Sequence, residues 1–248
     1  MACSEELHRD GSGALTIDPT GPGPDGHGLA GDELARLLLT VLSEERLSSY
    51  LDACDGSATA ALALYQWNTA AVGAYWETLA HLEVIVRNVL DRRLTDRHRS
   101  RGRPGDWLAD PARELTSRSR DDIRTAQTRV QRKGRPVAHG QVISELPFGF
   151  WRFLVSRRYT SLWPDLASGF PFAPDRRLST VERPLADLHE LRNRLAHHHR
   201  IWPQPLSRRY TQITALAGYV DPELSRWLNN TSRVPAVLAA RPGTPTHR

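Results

Sequence analysis

Apolar residues recur at three- and four-residue steps over most of this chain, and no stretch alternates with the period of two that a half-buried strand requires. The clearest run lies between Ser57 and about Arg99, where Tyr65, Val72, Trp76, Leu79, Leu82, Val86, Val89 and Leu90 share a stripe. It reads as the main core helix, and Gly73 stands where it would split. Upstream, Asp32 is placed to cap Glu33 to Leu42 and Ser43 to cap Glu44 to Ala53, before Asp55-Gly56 breaks the chain.

After a Gly/Pro-rich loop between Arg99 and Pro111, a polar helix is expected near Ala112 to Lys133, followed by a break from Gly134 to Gly140. The stretch from Val142 to Trp163 is aromatic and apolar, with Pro147 and Gly149 dividing it into a second core hairpin. A loop from Pro164 to Arg177 leads to Leu178, Val181, Leu185, Leu188, Leu191 and Leu195, although Pro184 places the start of the unbroken helix near itself. Further helices are expected near Leu206 to Gly218 and, with Asp221 as N-cap, from Pro222 to Asn229. The pattern therefore predicts an all-α fold with a single helical domain over residues 32–240. Residues 1–31, Gly- and Pro-rich and without periodicity, read as a disordered extension, and residues 241–248 as a flexible tail.

Composition narrows the class. With 40% apolar and 25% charged residues in 248, the chain has the make-up of a folded globular protein. No run of 18 or more uncharged apolar residues and no apolar leader follow Met1, and two cysteines are too few for a disulfide framework, so neither a membrane nor secretion is expected and the location reads as cytoplasmic. Charge is uneven. Residues 1–57 hold three Arg against eleven acids, whereas residues 87–136 hold fifteen Arg or Lys against seven acids, a balance of +8. Such an Arg-rich segment suits phosphate contacts, and equally a solvated helix surface.

The segment Leu191 to Trp202, LRNRLAHHHRIW, carries the chemistry. An imidazole titrating near neutrality moves protons, and a guanidinium holds a phosphate in a bidentate grip, so Arg192 and His197 together suit cleavage of a phosphodiester without a metal or other cofactor. His197 would deprotonate or orient a 2'-hydroxyl attacking the adjacent phosphorus, Arg192 would offset the charge that develops, and a 2',3'-cyclic phosphate would result. Asn193 is placed to orient His197 or to donate to the phosphate, and His198 to act as a second proton carrier. On an ideal helix, however, five residues turn about 500°, leaving Arg192 and His197 roughly 140° apart. Either the helix ends near His197 to His199, or a second copy in a symmetric dimer completes the site.

Each of these residues also has a structural reading. Arg192 would pair with Glu83 or Glu190, and the histidines would sit at a helix terminus favoured by the dipole. Glu83 and Arg87, four apart, would pair on one helix face, with Asn88 beside them; alternatively Arg192 and Asn193 would supply partners that make Glu83, Arg87 and Asn88 a supporting layer for the site. A metal site built from His197, His198 and His199 is disfavoured, because adjacent helical residues point about 100° apart.

Three stretches, Tyr65 to Asp91, Val142 to Trp163 and Leu191 to Trp202, together resemble the Abi family, the AbiD/AbiF-like phage abortive infection proteins within the HEPN superfamily, over roughly residues 34–240. That resemblance implies an up-and-down helical bundle, usually a homodimer, with metal-independent endoribonuclease activity in phage defence or toxin-like growth arrest. It carries Arg192 and His197 over as the catalytic pair, Asn193 as the polar residue within the motif and His198 as a frequent second histidine. His199-Arg200 departs from the Glu-Pro of many relatives. RNA, a second copy and a neutralising or activating protein are the implied partners. The rival reading is a non-catalytic RNA-binding or protein-interaction module of a defence or toxin–antitoxin system, and a third is a metal-dependent hydrolase using the histidine run.

Overall fold

Ser43 and Ser57 both stand where helices begin, but only one of them caps. The Ser57 hydroxyl accepts the Ala60 N–H at 3.3 Å, whereas Ser43 adopts φ 69° and its side chain makes no cap hydrogen bond. Helix α1 (Glu44–Ala53) follows Ser43, and α2 (Ala58–Ser100) follows Ser57. The structure, a computed structural model, describes residues 37, 38, 40–134 and 136–243. Asp32 and its expected capping role, the extension over residues 1–31 and residues 244–248 lie outside the described residues.

Helix α2 runs 43 residues without a break, roughly 65 Å at 1.5 Å per residue. Gly73 does not split it. Its exposed face costs about 1 kcal/mol relative to Ala, but Ala71, Ala74, Tyr75, Thr78 and Leu79 on either side are buried, and their packing outweighs that cost. Trp76, expected in the core, instead lies on the outward face at 44% exposure.

Along α2 pack α3 (Ser117–Arg132), α4 (His139–Glu145), α5 (Phe148–Leu154), α6 (Trp163–Leu166), α7 (Leu178–Ala196), α8 (Leu206–Val220), α9 (Pro222–Thr231) and α10 (Val234–Ala239), some directly and some through neighbours. The aromatic stretch is not a two-helix hairpin. It breaks into α4 and α5 at Leu146-Pro147, then a 3-10 turn at Arg157–Tyr159, and α6 and a second 3-10 turn occupy part of the expected loop after Trp163. Phe148, Phe150, Trp151 and Leu154 bury against α2 and α7, so short pieces suffice because tertiary packing holds them.

Helix α7 begins at Leu178 and continues through Pro184. Proline there forfeits the bond to the Thr180 carbonyl, yet Val181, Leu185 and Leu188 bury fully on the flanking turns and hold the helix across it. Asp221 caps α9 by accepting the Glu223 N–H at 2.8 Å, as its sequence position predicts. The buried apolar residues form one continuous cluster from Leu47 to Val234. The protein is all-helical: no strand occurs among the described residues, and no described helix is long and apolar enough to cross a membrane.

Candidate functional site

Arg192 lies on the face of α7 that meets α2. Its Nε donates to Glu83 Oε1 at 3.4 Å, and its guanidinium carbon stands 5.3 Å from the centre of the Trp76 ring. About a third of each charged side chain stays exposed, 33% for Arg192 and 27% for Glu83. Burial pushes the Glu83 carboxyl above its ordinary range, and the charge and hydrogen bond of Arg192 oppose that shift. The pairing of Arg192 with Glu83 is the one the structural reading of the sequence anticipates.

Five residues on, the helix stops. His197 is the C-cap at φ −96°, its N–H bonded to the Asn193 carbonyl. His198 then takes the left-handed conformation, φ 52°, a geometry usually left to glycine. The His198 and His199 N–H groups donate back to Leu195 and Arg194 at 3.1 and 2.9 Å, so the terminal carbonyls are satisfied by the turn itself. From outside, Arg46 donates to the His198 carbonyl at 3.0 Å and Arg194 to the Arg200 carbonyl at 2.8 Å.

What anchors the turn is Asn68, a buried residue of α2 whose Oδ1 accepts the N–H groups of both Ile201 and Trp202, at 2.9 and 3.1 Å. Trp202 in turn packs 6.1 Å from the Tyr50 ring of α1. The histidines therefore project into solvent from a backbone tied to two helices. His197, His198 and His199 are all exposed, and the His197 and His199 rings lie 5.9 Å apart.

Within one chain the expected site is only partly assembled. No hydrogen bond or ring contact joins Arg192 to His197 among the described residues, because one faces α2 and the other leaves the helix end. Ending the helix at Ala196 does not by itself bring them together. Asn193 is exposed and does not orient His197. The expected support layer also falls short: Glu83 meets Arg192, but Arg87 turns to its neighbour Asn88 at 3.1 Å rather than to Glu83, and Asn88 is exposed. No group of three or more His, Cys, Asp or Glu able to hold a metal occurs among the described residues.

Much of the +8 segment is spoken for internally. Arg97, only 6% exposed, and Arg103 both grip Glu114, whose carboxyl is held down at about 2, chiefly by the Arg103 hydrogen bond and then by that of Arg97. Arg97 also pairs with Asp165, and Arg93, Arg120, Arg124 and Lys133 have carboxylate partners of their own. Near the motif, Asn68 stands in a polar stretch, Tyr65-Gln66-Trp67-Asn68, that the sequence marks without showing its anchoring role, and His189 is a position that sequence reasoning passed over. For His189 a signal existed, since it lies three residues before Arg192 on the same helix. No protein-family model matches the chain, and neither a curated protein nor a solved structure matches it.

Proposed function

We propose that the protein is a metal-independent endoribonuclease of the Abi type within the HEPN superfamily, acting as a symmetric homodimer in phage defence or toxin-like growth arrest. The observation that carries this reading is the arrangement at the end of α7. An accessible imidazole, His197, leaves an anchored turn, and a guanidinium with spare donors, Arg192, lies five residues earlier on a different face. Two copies related by a twofold axis bring Arg192 of each into reach of His197 of the other, which answers the separation within one chain.

In that arrangement His197 takes the proton of a 2'-hydroxyl as its oxygen attacks the neighbouring phosphorus. The bond from phosphorus to the 5'-oxygen breaks, that oxygen takes up a proton from His198, and the strand ends in a 2',3'-cyclic phosphate. Arg192 meets the charge gathering on the non-bridging oxygens. Glu83 sets the position of Arg192 without touching substrate.

A second reading, a non-catalytic RNA- or protein-binding module, draws on a specific observation too: Arg192 already has a carboxylate partner, and no hydrogen bond orients the His197 ring among the described residues. Incubating the protein and His197→Ala with mixed cellular RNA in EDTA separates the two. The ribonuclease reading expects cleavage with 2',3'-cyclic ends by the parent alone; equal cleavage by both, or by neither while RNA is bound, overturns it.

A further inference from the structure

One turn before Arg192, His189 packs among aromatic rings and arginines. Its ring stands 6.0 Å from that of Phe148 and 6.3 Å from that of Phe153. Gly149 lies against it, since a Cβ there would come 3.0 Å from His189 Nε2. Burial first, and then the positive charges of Arg152 from α5, Arg192 from its own helix and Arg118 from α3, hold its imidazole below the ordinary range.

Arg118 and Arg152 share the Phe153 ring, their guanidinium carbons 5.1 and 4.6 Å from its centre. Neither forms an ion pair among the described residues, and Arg152 Nε is buried without a hydrogen-bond partner. Phe153 itself remains 36% exposed. Elsewhere this protein neutralises inward-facing arginines with carboxylates, as at Arg97 and Arg209. Of the three cations that act on His189, Arg192 has Glu83 as its partner, which leaves Arg118 and Arg152 as the two without a paired carboxylate among the described residues.

Beside Phe153 opens a recess of about 290 Å³, lined by Arg118, Arg158, the carboxylate of Asp122 and the hydroxyls of Thr116, Ser119 and Tyr159. Those hydroxyls are linked, Tyr159 to Ser119 at 2.6 Å and to Thr116 at 3.0 Å. A space of this size approaches the roughly 300 Å³ at which ligand pockets begin.

We propose that Arg118, Arg152 and Phe153, with the hydroxyl-lined recess, form a subsite for one phosphate and its nucleotide in a single strand of RNA, continuous through His189 with Arg192. Guanidiniums stacked on an aromatic ring present their planar edges to a phosphate, and the recess accepts a nucleotide turned out of a strand, which a closed duplex does not offer. The identity of the polyanion rests on the ribonuclease reading; the place of the subsite rests on the geometry.

The test is binding of a labelled 12-nucleotide single-stranded RNA in EDTA across a salt series, comparing the parent, the double variant Arg118→Gln/Arg152→Gln and a control, Arg129→Gln/Arg132→Gln, which removes equal charge from the far end of α3. With matched circular dichroism and melting, the first pair should weaken binding tenfold or more and flatten the salt slope by about 0.7, the value for one single-strand phosphate contact. The control should change affinity less than threefold. Equal losses in both pairs, or duplex RNA bound as tightly with the same dependence, overturn the subsite. Cleavage that needs His197 while the Arg118/Arg152 pair binds normally removes the subsite and leaves the ribonuclease standing. Binding lost in that pair alone, in a protein whose parent cleaves nothing, does the reverse.

Discussion

Arg192 and Glu83 join α7 to α2 through a single hydrogen bond of 3.4 Å, with the Trp76 ring beneath the guanidinium. Both side chains are partly wet, so their attraction is screened, while burial makes the Glu83 charge costly. Glu83→Gln keeps the shape and one acceptor. It should change unfolding free energy by less than about 1 kcal/mol, measured in urea at pH 7. The sign follows from the raised carboxyl: in the parent this residue favours the fold as pH falls through its folded value, and the variant should lose that dependence. A loss above about 2 kcal/mol at pH 7 would show the pair to be a structural clamp.

Asn68 has no such latitude. Its one oxygen satisfies two main-chain donors, Ile201 and Trp202, in a region where Ile201 is fully buried. Asn68→Ala leaves both N–H groups without their acceptor and should cost about 2–4 kcal/mol. Because it also frees the turn that carries the histidines, limited proteolysis should cut first between residues 197 and 202. An unchanged cleavage pattern with full stability would refute the anchoring role.

His139 answers to pH. Its two ring nitrogens lie 2.5 Å from Asp106 and 2.7 Å from Asp91, and Trp107 Nε1 donates to that same Asp91 oxygen. Burial lowers its proton affinity, but hydrogen bonding to Asp106 and the charges of both aspartates prevail and raise it. A raised imidazole stabilises the fold fully below its unfolded value of about 6.5 and loses that contribution as pH climbs through the folded value. The urea midpoint should therefore fall from pH 6 to pH 9 by more in the parent than in His139→Gln; parallel curves would remove the bridge from the account.

Helices that bury a continuous stripe were readable from spacing alone. Glu44–Ala53 appears with the ends its pattern predicts, and the long α2 and the Asp221 cap follow from local chemistry. Where a helix breaker met strong flanking burial, at Gly73 and Pro184, reading each residue by itself misplaced a boundary, because its cost of about 1–3 kcal/mol is local and the packing that overrides it is not. Trp76 shows the same limit. Helical periodicity assigns it to the stripe, yet only the position of α7 makes it an outward platform for Arg192.

By itself the sequence determined the helical class, the order of the main helices and the concentration of Arg192, Asn193, His197 and His198 in one segment, since these depend on residues close together in the chain. Only the tertiary structure decided which partners those residues have: Glu83 rather than Arg87 or Asn193 for company, Asn68 as the anchor of the histidine turn, and carboxylates for much of the Arg-rich segment. Pairing of charges depends on distances between residues up to 156 positions apart, as for Arg233 and Glu77, and over such spans an arginine destined for an internal carboxylate reads the same as one left facing solvent, as Arg97 and Arg118 do.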